Sequence, residues 1–522
     1  MTNYFFSIQF QKNIKMKKRF ICLLAIAAIV KHVSAQDEFD ALRYSFTPYQ
    51  GTARGMGIGG AVGSIGADFS CLSVNPAGIG IYKSSELMFS PSFTVSKNNT
   101  TYLGTSSTAN ASKFNLSNFG IVITNNRKSP NSRKNGWKSI NFGFGMNRLA
   151  TYKNEFIYSG KNTKSSLIES FADDFNSLGG INSNSLNNVN YSAYAAYQTY
   201  LIDRGMGADS NKAMSYVPFD AGINQTKRVI ETGGMSEYAI SIGGNYMDKL
   251  MIGATLGISS LKYNRTLRFD EVDASNDLNN DFKYMRYTEQ LATTGNGINL
   301  KLGAIFKPNS KFRVGIALHT PTHIELNDAS SISMESHTDS LLLSNNPTAN
   351  PVTKFVQDSM LVFNYSMTTP YKAILSGTVL FGKLGFLTAD IEYVDYSFMK
   401  YNYGVGYETE SDAMNRVIQN TYQGTVNLRV GAEAKLNNFN ARTGIAYYGS
   451  PYADSKIGGA RTNISGGIGY RERYWFLDAT YIHSIQKTNE VPYILARNNA
   501  DVQAASINNN RGNVVISFGV KF

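Results

Sequence analysis

Histidines are the side chains of this sequence whose type could support metal binding or acid–base catalysis. His319 and His323 have the i, i+4 spacing of a helical metal pair. Pro321 between them would break such a helix, and the glutamate of a zinc protease is missing. His483 has no organised serine or aspartate partner near it in the sequence. The sequence therefore predicts no metal site, and we expect no enzyme.

The run from Gly55 to Gly60, Gly-Met-Gly-Ile-Gly-Gly, matches the GxGxxG pattern of a dinucleotide-binding loop. Binding of that kind needs a strand before the glycines, a helix after them and an acid about 20 residues further on. No strand pattern precedes this run, and Asp68 comes too early. We therefore expect no nucleotide cofactor, and we assign the glycines to close backbone packing and positive φ angles.

The elements that would position any site here are strands with a period of two residues. In the last of them, Val514, Ile516, Phe518 and Val520 share one face, while small or polar residues share the other. Charged residues make up only 17% of the chain and aromatic residues 12%. This pattern is typical of a transmembrane β-barrel with lipid outside and a polar lumen.

We predict an all-β fold, a transmembrane barrel of about 14 antiparallel strands. The predicted strands are 86–96, 112–124, 137–149, 235–247, 249–262, 294–307, 310–320, 369–382, 384–398, 424–436, 438–449, 461–471, 473–485 and 511–522. Links after even-numbered strands are short from the fourth strand onward, and links after odd-numbered strands are long, the largest being 150–234. Short periplasmic turns and long external loops produce this alternation.

The glycine-rich stretch Tyr49–Lys83 precedes the first strand and has neither strand alternation nor a helical stripe. A compact segment ahead of a barrel indicates a plug, so we predict a hatch over 36–85 inside a barrel formed by 86–522. The six lumen-facing charges that we identify have two open interpretations. They form either a mutually paired ladder or a selectivity filter: Lys301, Asp390, Glu392, Arg429, Glu433 and Asp478.

Residues 1–35 have the character of a leader with a signal peptide. Basic residues at 17–19 precede the apolar run 20–30, and small residues end at Ala35. Met16 is the better start of the chain. The six cations in 1–35 account for half of the formal net charge of +12, so the mature chain carries only about +6 and gives no indication of nucleic-acid binding.

Two helices are predicted in the 150–234 link. Apolar residues recur at helical spacing in 165–178, which Gly179 and Gly180 follow, and tyrosines recur every three residues in 191–200. One interpretation is that these helices cap the barrel and pack on each other. The other is an external platform on which an apolar ligand first lands, and both can hold together.

Four residues close the hatch just before the first strand: Asn75, Pro76, Ala77 and Gly78. Together with the glycines ahead of them, this element resembles the FadL/TodX family of outer-membrane transporters for hydrophobic compounds. The resemblance extends to 299–322, with Lys-Pro at its turn, to 387–397 and to the terminal strand. It implies an N-terminal hatch whose Asn-Pro-Ala-Gly element takes part in gating, followed by a 14-stranded barrel.

The resemblance also implies a mechanism. A long-chain fatty acid-like ligand binds among external loops, the hatch moves, and the ligand leaves sideways through the barrel wall. The implied exit lies at a kink in the third strand, which here carries Phe142, Gly143, Phe144 and Gly145. The two glycines could accommodate a bulge.

We expect a monomer without cofactors in the outer membrane of a Gram-negative bacterium. Its partners would be a hydrophobic small molecule, outer-membrane lipid and the barrel assembly machinery, which would recognise the terminal Phe522. Two alternatives remain open at this point. One is a porin-like solute channel, and the other is a surface interaction protein that uses the barrel as an anchor.

Overall fold

The computed structural model describes residues 37–126, 136–205, 209–275, 277, 280–339, 352–496 and 501–522. The predicted leader of 1–35 lies outside these residues, as does most of the link between the second and third strands. Among the described residues, no helix combines the length and the apolar character needed to cross a bilayer.

The described strands form a closed barrel of 14 antiparallel strands, and each is hydrogen-bonded to its neighbours in chain order. The strands are β1 Glu86–Tyr102, β2 Thr105–Asn126, β3 Trp137–Thr151, β4 Ile223–Tyr246, β5 Leu250–Asp273, β6 Tyr284–Phe306, β7 Phe312–His319, β8 Lys372–Leu380, β9 Gly385–Asp395, β10 Gly424–Leu436, β11 Phe439–Tyr448, β12 Gly458–Arg471, β13 Trp475–Glu490 and β14 Ala505–Lys521. Pairing of Glu86 with Lys521 closes the ring. The predicted fold class is confirmed.

Burial alternates along the strands as the hydrophobic pattern predicts. In β14, Val514, Ile516 and Phe518 are exposed on the outer face, whereas Val515 and Ser517 are buried on the lumen face. The outer face of a membrane barrel contacts lipid, which explains why large apolar side chains are exposed there.

Several strands are longer than predicted, and one link is different in kind. The strands β4, β5 and β6 have 24, 24 and 23 residues. The sequence predicted a long link at 97–111 between the first two strands. In the structure β1 and β2 form a hairpin, and their pairing continues as far as Tyr102 and Thr105. Its turn residues, Leu103 and Gly104, adopt positive φ angles of 47° and 78°. The other described links keep the predicted alternation of short and long.

Shorter strands and helices extend the barrel at its long-link end. The strand Asn154–Asn162 pairs with β4, and His323–Thr338 continues the line of β7 along β6. The remaining strands here are Ile202–Arg204, Ala213–Ser215, Val352–Gln357, Leu361–Thr368 and Lys400–Asn402. Two helices precede the barrel, α1 Glu38–Ser45 and α2 Ala53–Gly57. The helices of the long links are α3 Leu167–Ser177, α4 Ser183–Asn188, α5 Tyr191–Gln198, a 3-10 turn at Tyr396–Phe398 and α6 Glu408–Thr421.

The two helices predicted in the largest link are present as α3 and α5. Ser166 and Glu169 form a capping box at the start of α3, and Gly179 and Gly180 end it with positive φ angles of 85° and 86°. Apolar residues of both helices join one buried cluster with the outer ends of β5 and β6. The structure thus agrees with the cap interpretation, and the ligand platform stays a prediction.

Candidate functional site

Residues 37–85, called the N-terminal segment below, lie inside the barrel. The segment contains α1 Glu38–Ser45, α2 Ala53–Gly57 and the 3-10 turns Phe69–Ser73 and Pro76–Ile81. It is bonded to strands on several sides of the lumen: Ala53 N donates to Ser517 Oγ of β14 at 2.7 Å, and Gly63 N donates to Asp390 Oδ2 of β9 at 3.0 Å. The lumen is therefore filled rather than open.

The outermost part of the N-terminal segment is α1, which tyrosines of the long links hold. Tyr401 Oη donates to the carbonyl of Asp37 at 3.2 Å, and Tyr422 Oη donates to the carbonyl of Glu38 at 2.9 Å. Tyr44 packs edge-on against Tyr263, with ring centroids 6.1 Å apart. These contacts connect α1 to the long links as well as to the strands.

The carboxyl group of Glu38 makes the docking of α1 in the barrel sensitive to pH. Burial, and then repulsion by the neighbouring Asp37, raise the pKa of Glu38 from 4.5 to about 7. Because the docked state holds the proton of Glu38 more tightly than the undocked state, docking becomes less favourable as pH rises. This loss begins at the pKa of the undocked carboxyl group and ends at the pKa of the docked one. The docking of α1 should therefore weaken between pH 4.5 and about 7 and stay constant above that range.

We predict that Glu38→Gln removes this pH dependence. Hydrogen exchange of the α1 amides should be faster at pH 8 than at pH 5 in the wild-type protein, after correction for intrinsic rates, and nearly independent of pH in the variant. Glu325→Gln, at a side chain 74% exposed, is the matched control. An unchanged pH profile in Glu38→Gln would contradict the assignment.

Glycines of the N-terminal segment and the wall allow backbones to touch. A Cβ atom at Gly431 of β10 or Gly444 of β11 would come closer than 3.0 Å to backbone atoms of Ile58 or Gly59. Gly59 itself adopts a φ angle of 67°. These contacts agree with the packing role predicted for the Gly55–Gly60 run, which is not placed between a strand and a long helix.

The six lumen-facing charges identified in the sequence are each paired with an opposite charge, as the ladder interpretation predicts. Arg442 of β11 is at the centre, with Nε 2.8 Å from Glu433 Oε2 and Nη1 2.6 Å from Asp478 Oδ1. Arg54 of the N-terminal segment also contacts Glu433, at 3.2 Å. Similar pairs join the other charges of the set, namely Lys301 to Glu237 and Arg429 to Asp390 and Glu392. The ladder includes the N-terminal segment, which the sequence did not indicate.

The Asn-Pro-Ala-Gly element lies buried against β5 and β6. Asn75 Nδ2 donates to the carbonyls of Gly63 at 2.6 Å and Ala304 at 3.3 Å, and its Oδ1 accepts from Ala77 N at 3.1 Å. Pro76 lies against Gly253, where a Cβ atom would meet the Pro76 carbonyl carbon at 2.6 Å. The side chain of Asn75 therefore links two parts of the N-terminal segment to the wall.

The glycine pair of β3 faces this segment, and the neighbouring aromatic residues face outward. Phe142 and Phe144 are 49% and 56% exposed. A Cβ atom at Gly143 would meet Leu72 at 2.8 Å, and one at Gly145 would meet the Phe69 ring at 2.6 Å. The glycines thus make room for side chains of the N-terminal segment.

No bulge is present at these glycines, which corrects that part of the sequence-based expectation. Phe142 to Gly145 pair without a break with both β2 and β4. The register shifts of β3 against β4 lie on either side, at Trp137–Ser139 and Arg148–Ala150. The absence of side chains at Gly143 and Gly145 leaves space inside the barrel for Leu72 and Phe69, while the strand itself stays regular.

The hydrogen-bonded ladder between β2 and β3 is interrupted further out, where the strand Asn154–Asn162 lies beside the outer parts of β1 and β2. Among the described residues, β2 pairs with β3 only from Asn118, which faces Asn147, while its outer part, Thr105–Leu116, pairs with β1 alone. At this interruption Phe114 of the unpaired edge is apolar and 68% exposed, which is the pattern of lipid-facing residues in a barrel strand. Lys113 Nζ reaches across it to the carbonyl of Gly233 at 3.0 Å. No glycine marks this site in β3, so it could not be predicted from the sequence.

The spaces between the N-terminal segment and the wall include two cavities. One has a volume of about 80 Å³ and is lined partly by charged groups that include Lys301 and Glu392. The other has a volume of about 220 Å³ and lies at the outer half of the lumen. Sites for small apolar ligands usually measure about 300–1,000 Å³. Neither of these two cavities is therefore large enough for a large apolar ligand.

The histidine pair and the terminal residue also have defined places. His319 Nε2 lies 2.8 Å from the carbonyl of Val74, and His323 contacts Glu325 instead of His319. The described residues contain no group of three potential metal ligands. Phe522 is exposed, and its N–H donates to the carbonyl of Ser85 at 3.1 Å. Its role in assembly stays a prediction.

Comparison with known proteins identifies the fold. No protein-family model matches the chain, and no curated protein matches it in sequence. A Pseudomonas aeruginosa FadL homologue has a similar structure at 12% identity, with a TM-score of 0.53 over 92% of this chain and 99% of the homologue. The P. putida toluene transporter TodX is similar at 12% identity, with a TM-score of 0.51 over 91% of this chain and 99% of TodX. The chain shares the fold of these proteins over nearly its whole described length.

Proposed function

We propose that this chain is an outer-membrane transporter of the FadL/TodX type that carries hydrophobic small molecules into a Gram-negative cell. The observation that carries this proposal is a lumen filled by the N-terminal segment beside a β2–β3 ladder that ends where the apolar Phe114 is exposed. A filled lumen suits an apolar solute that leaves sideways better than it suits an aqueous channel. The shared fold with a FadL homologue and a toluene transporter supports the proposal.

In the proposed mechanism, external loops capture the ligand, the N-terminal segment moves, and the ligand is released through the wall beside β3. The strand that carries Phe142–Gly145 forms the inner boundary of this route, and the unpaired edge of β2 supports an exit just above it. A long-chain fatty acid-like ligand gains about 0.8 kcal/mol per buried CH₂ group, so release into lipid is favoured over release into water.

The direct test is uptake of labelled oleate and toluene by cells that express the chain or a barrel of different fold. Uptake of either compound above that control is the expected result. Ohmic conductance of hydrophilic ions by the pure protein, without such uptake, would contradict the proposal in favour of a porin-like channel. Loss of protein binding on removal of the 152–222 link, with no effect on uptake, would favour a surface anchor.

Asn75→Ala should lower uptake while the barrel stays folded. The change removes the bonds that connect Gly63 and Ala304 through Asn75, and lost buried hydrogen bonds cost about 1–3 kcal/mol. We expect a fall in uptake of roughly tenfold, the factor that corresponds to ~1.4 kcal/mol. The control is Asn125→Ala, at an exposed position of β2. Normal uptake by the Asn75 variant would exclude a gating role for Asn75 to Gly78.

The remaining sequence-based expectations belong to the same proposal. We propose that residues 1–35 are removed on export, that Phe522 guides insertion by the assembly machinery, and that the mature chain works as a monomer in contact with outer-membrane lipid. No cofactor or nucleic acid is part of the mechanism.

A further inference from the structure

The larger cavity lies against the lumen face of the outer halves of β12, β13 and β14. Its wall includes Thr151 to Phe156, the segment in which β3 has separated from β2. One water-sized group needs about 10–15 Å³ of such volume. The cavity of about 220 Å³ therefore has room for more than ten such groups.

The charges around this cavity do not balance. Three guanidinium groups line it, and one carboxylate does, that of Glu231. Glu231 is engaged by Arg43 at 3.2 Å, and Arg43 also contacts Asp40. The single carboxylate of the lining is therefore paired with Arg43, and the other two guanidinium groups, on Arg461 and Arg511, are not paired with it.

Arg461 and Arg511 bind only neutral groups. Arg461 donates from Nε to Asn463 Oδ1 and from Nη2 to Ser484 Oγ, both at 3.0 Å. Arg511 donates to the carbonyls of Thr151 and Lys153, both at 3.3 Å, and its buried Nε has no partner. In the ranges that the structure describes, no carboxylate lies within 4.0 Å of either guanidinium. Two partly buried cations without a counter-ion are costly, so an anion would be stabilised here.

Neutral amide groups surround the remaining space. Asn509 Nδ2 donates to Asn98 Oδ1 at 2.7 Å and to Asn154 Oδ1 at 3.2 Å, and Asn98 Nδ2 donates to Asn154 Oδ1 at 2.8 Å. Gln486 adds a further amide to the lining. Such groups can donate to and accept from a ligand at the same time. The lining therefore suits an anion that carries uncharged hydrogen-bonding groups better than it suits a bare hydrocarbon.

We propose that this cavity, called the arginine cavity, binds the head group of an amphiphile in which an anion is joined to an amide or hydroxyl group, as in an N-acyl amino acid. Arg461 and Arg511 hold the anion in a forked contact, and the asparagine cluster contacts the neutral part. The proposal rests on the proposed function, because it assigns a ligand class to the same lumen. Since the wall of the cavity includes the segment that leaves β2 unpaired, a head group bound here lies beside the interruption.

The test compares three C12 probes on the full-length protein in a non-ionic detergent: N-dodecanoylglycine, dodecanoate and dodecan-1-ol. We expect the acylglycine to bind tightest and the alcohol weakest, with at least about a tenfold difference between these two. Arg461→Gln and Arg511→Gln should each lose at least about tenfold in acylglycine affinity and leave the affinity for the alcohol unchanged. Arg268→Gln, at an exposed side chain bonded to Asp270, is the matched control.

Equal affinity of the wild-type protein for all three probes would overturn the head-group assignment and leave the proposed function standing. Equal affinity for dodecanoate and the acylglycine would overturn the role of the asparagine cluster. Absence of binding for all three would contradict the proposed function as well. The wild-type comparison does not depend on folding of the variants. Unchanged acylglycine affinity in both folded arginine variants would also overturn the proposal.

Discussion

Replacement of Arg442 by methionine lowers the free energy of unfolding of the barrel by about 3–5 kcal/mol, the expected effect of breaking a buried ion pair. The Arg442 side chain has no exposed surface, and its guanidinium lies between Glu433 and Asp478. Removing it leaves two carboxylates in the lumen. Each keeps one other cation, Arg54 or Arg471, so we expect a value near the lower end of the range.

Urea unfolding in detergent or lipid, followed by fluorescence, measures this difference for Arg442→Met. The control is again Arg268→Gln, whose exposed pair with Asp270 should contribute no more than about 1 kcal/mol. If the two variants lose similar amounts, the lumen ladder stabilises the fold no more than a surface pair does. In that case Arg442 would have no special structural role.

Gly444→Val is expected to displace the N-terminal segment from the wall. The new side chain would meet the backbone of Ile58 and Gly59, and backbone cannot move aside as a flexible side chain can. Overpacking of this kind costs about 1–3 kcal/mol, which shifts a docking equilibrium by roughly 5- to 150-fold. We therefore expect frequent channel openings in planar bilayers, whereas the wild-type protein should remain mostly closed.

The matched control for this variant is Gly466→Val on the neighbouring strand β12. A Cβ atom at Gly466 meets no other atom within 4 Å, so the valine would point into free space outside the barrel. Both variants add the same side chain to the same type of element. Equal conductance of the two would show that contact between Gly444 and the N-terminal segment does not keep the lumen closed.

The strands could be predicted wherever lipid faces one side of them. Within the membrane, alternation of apolar and polar residues is strong, as in Val514 to Phe518, and the 14-strand barrel followed from it. Beyond the membrane both faces of a strand contact water or loops, so β4 begins at Ile223 although the pattern indicated 235. The same loss of contrast concealed the β1–β2 hairpin, whose outer residues are mostly polar on both faces.

The candidate site was less predictable because its contacts join distant parts of the chain. Sequence spacing could not show that Asn75 contacts Ala304 or that Arg54 joins the Glu433 and Arg442 pair. The glycines of β3 were identified as special, but the space they create is occupied by Phe69 and Leu72. The interruption between β2 and β3 depends on which strands pair, and no residue type in β3 marks it.

The contacts of the N-terminal segment impose an order on assembly. Its Asn75 end binds β6 at Ala304, 229 residues away, whereas α2 binds β14 through Ala53 and Ser517, 464 residues apart. Contacts at such separation form slowly because a long loop must close first. The Asn75 end can therefore dock while the barrel is still an open sheet. Docking of α2 needs the last strands, because Ser465 of β12, Thr480 of β13 and Ser517 of β14 all bind it. Closing of the lumen is thus coupled to formation of the C-terminal part of the wall.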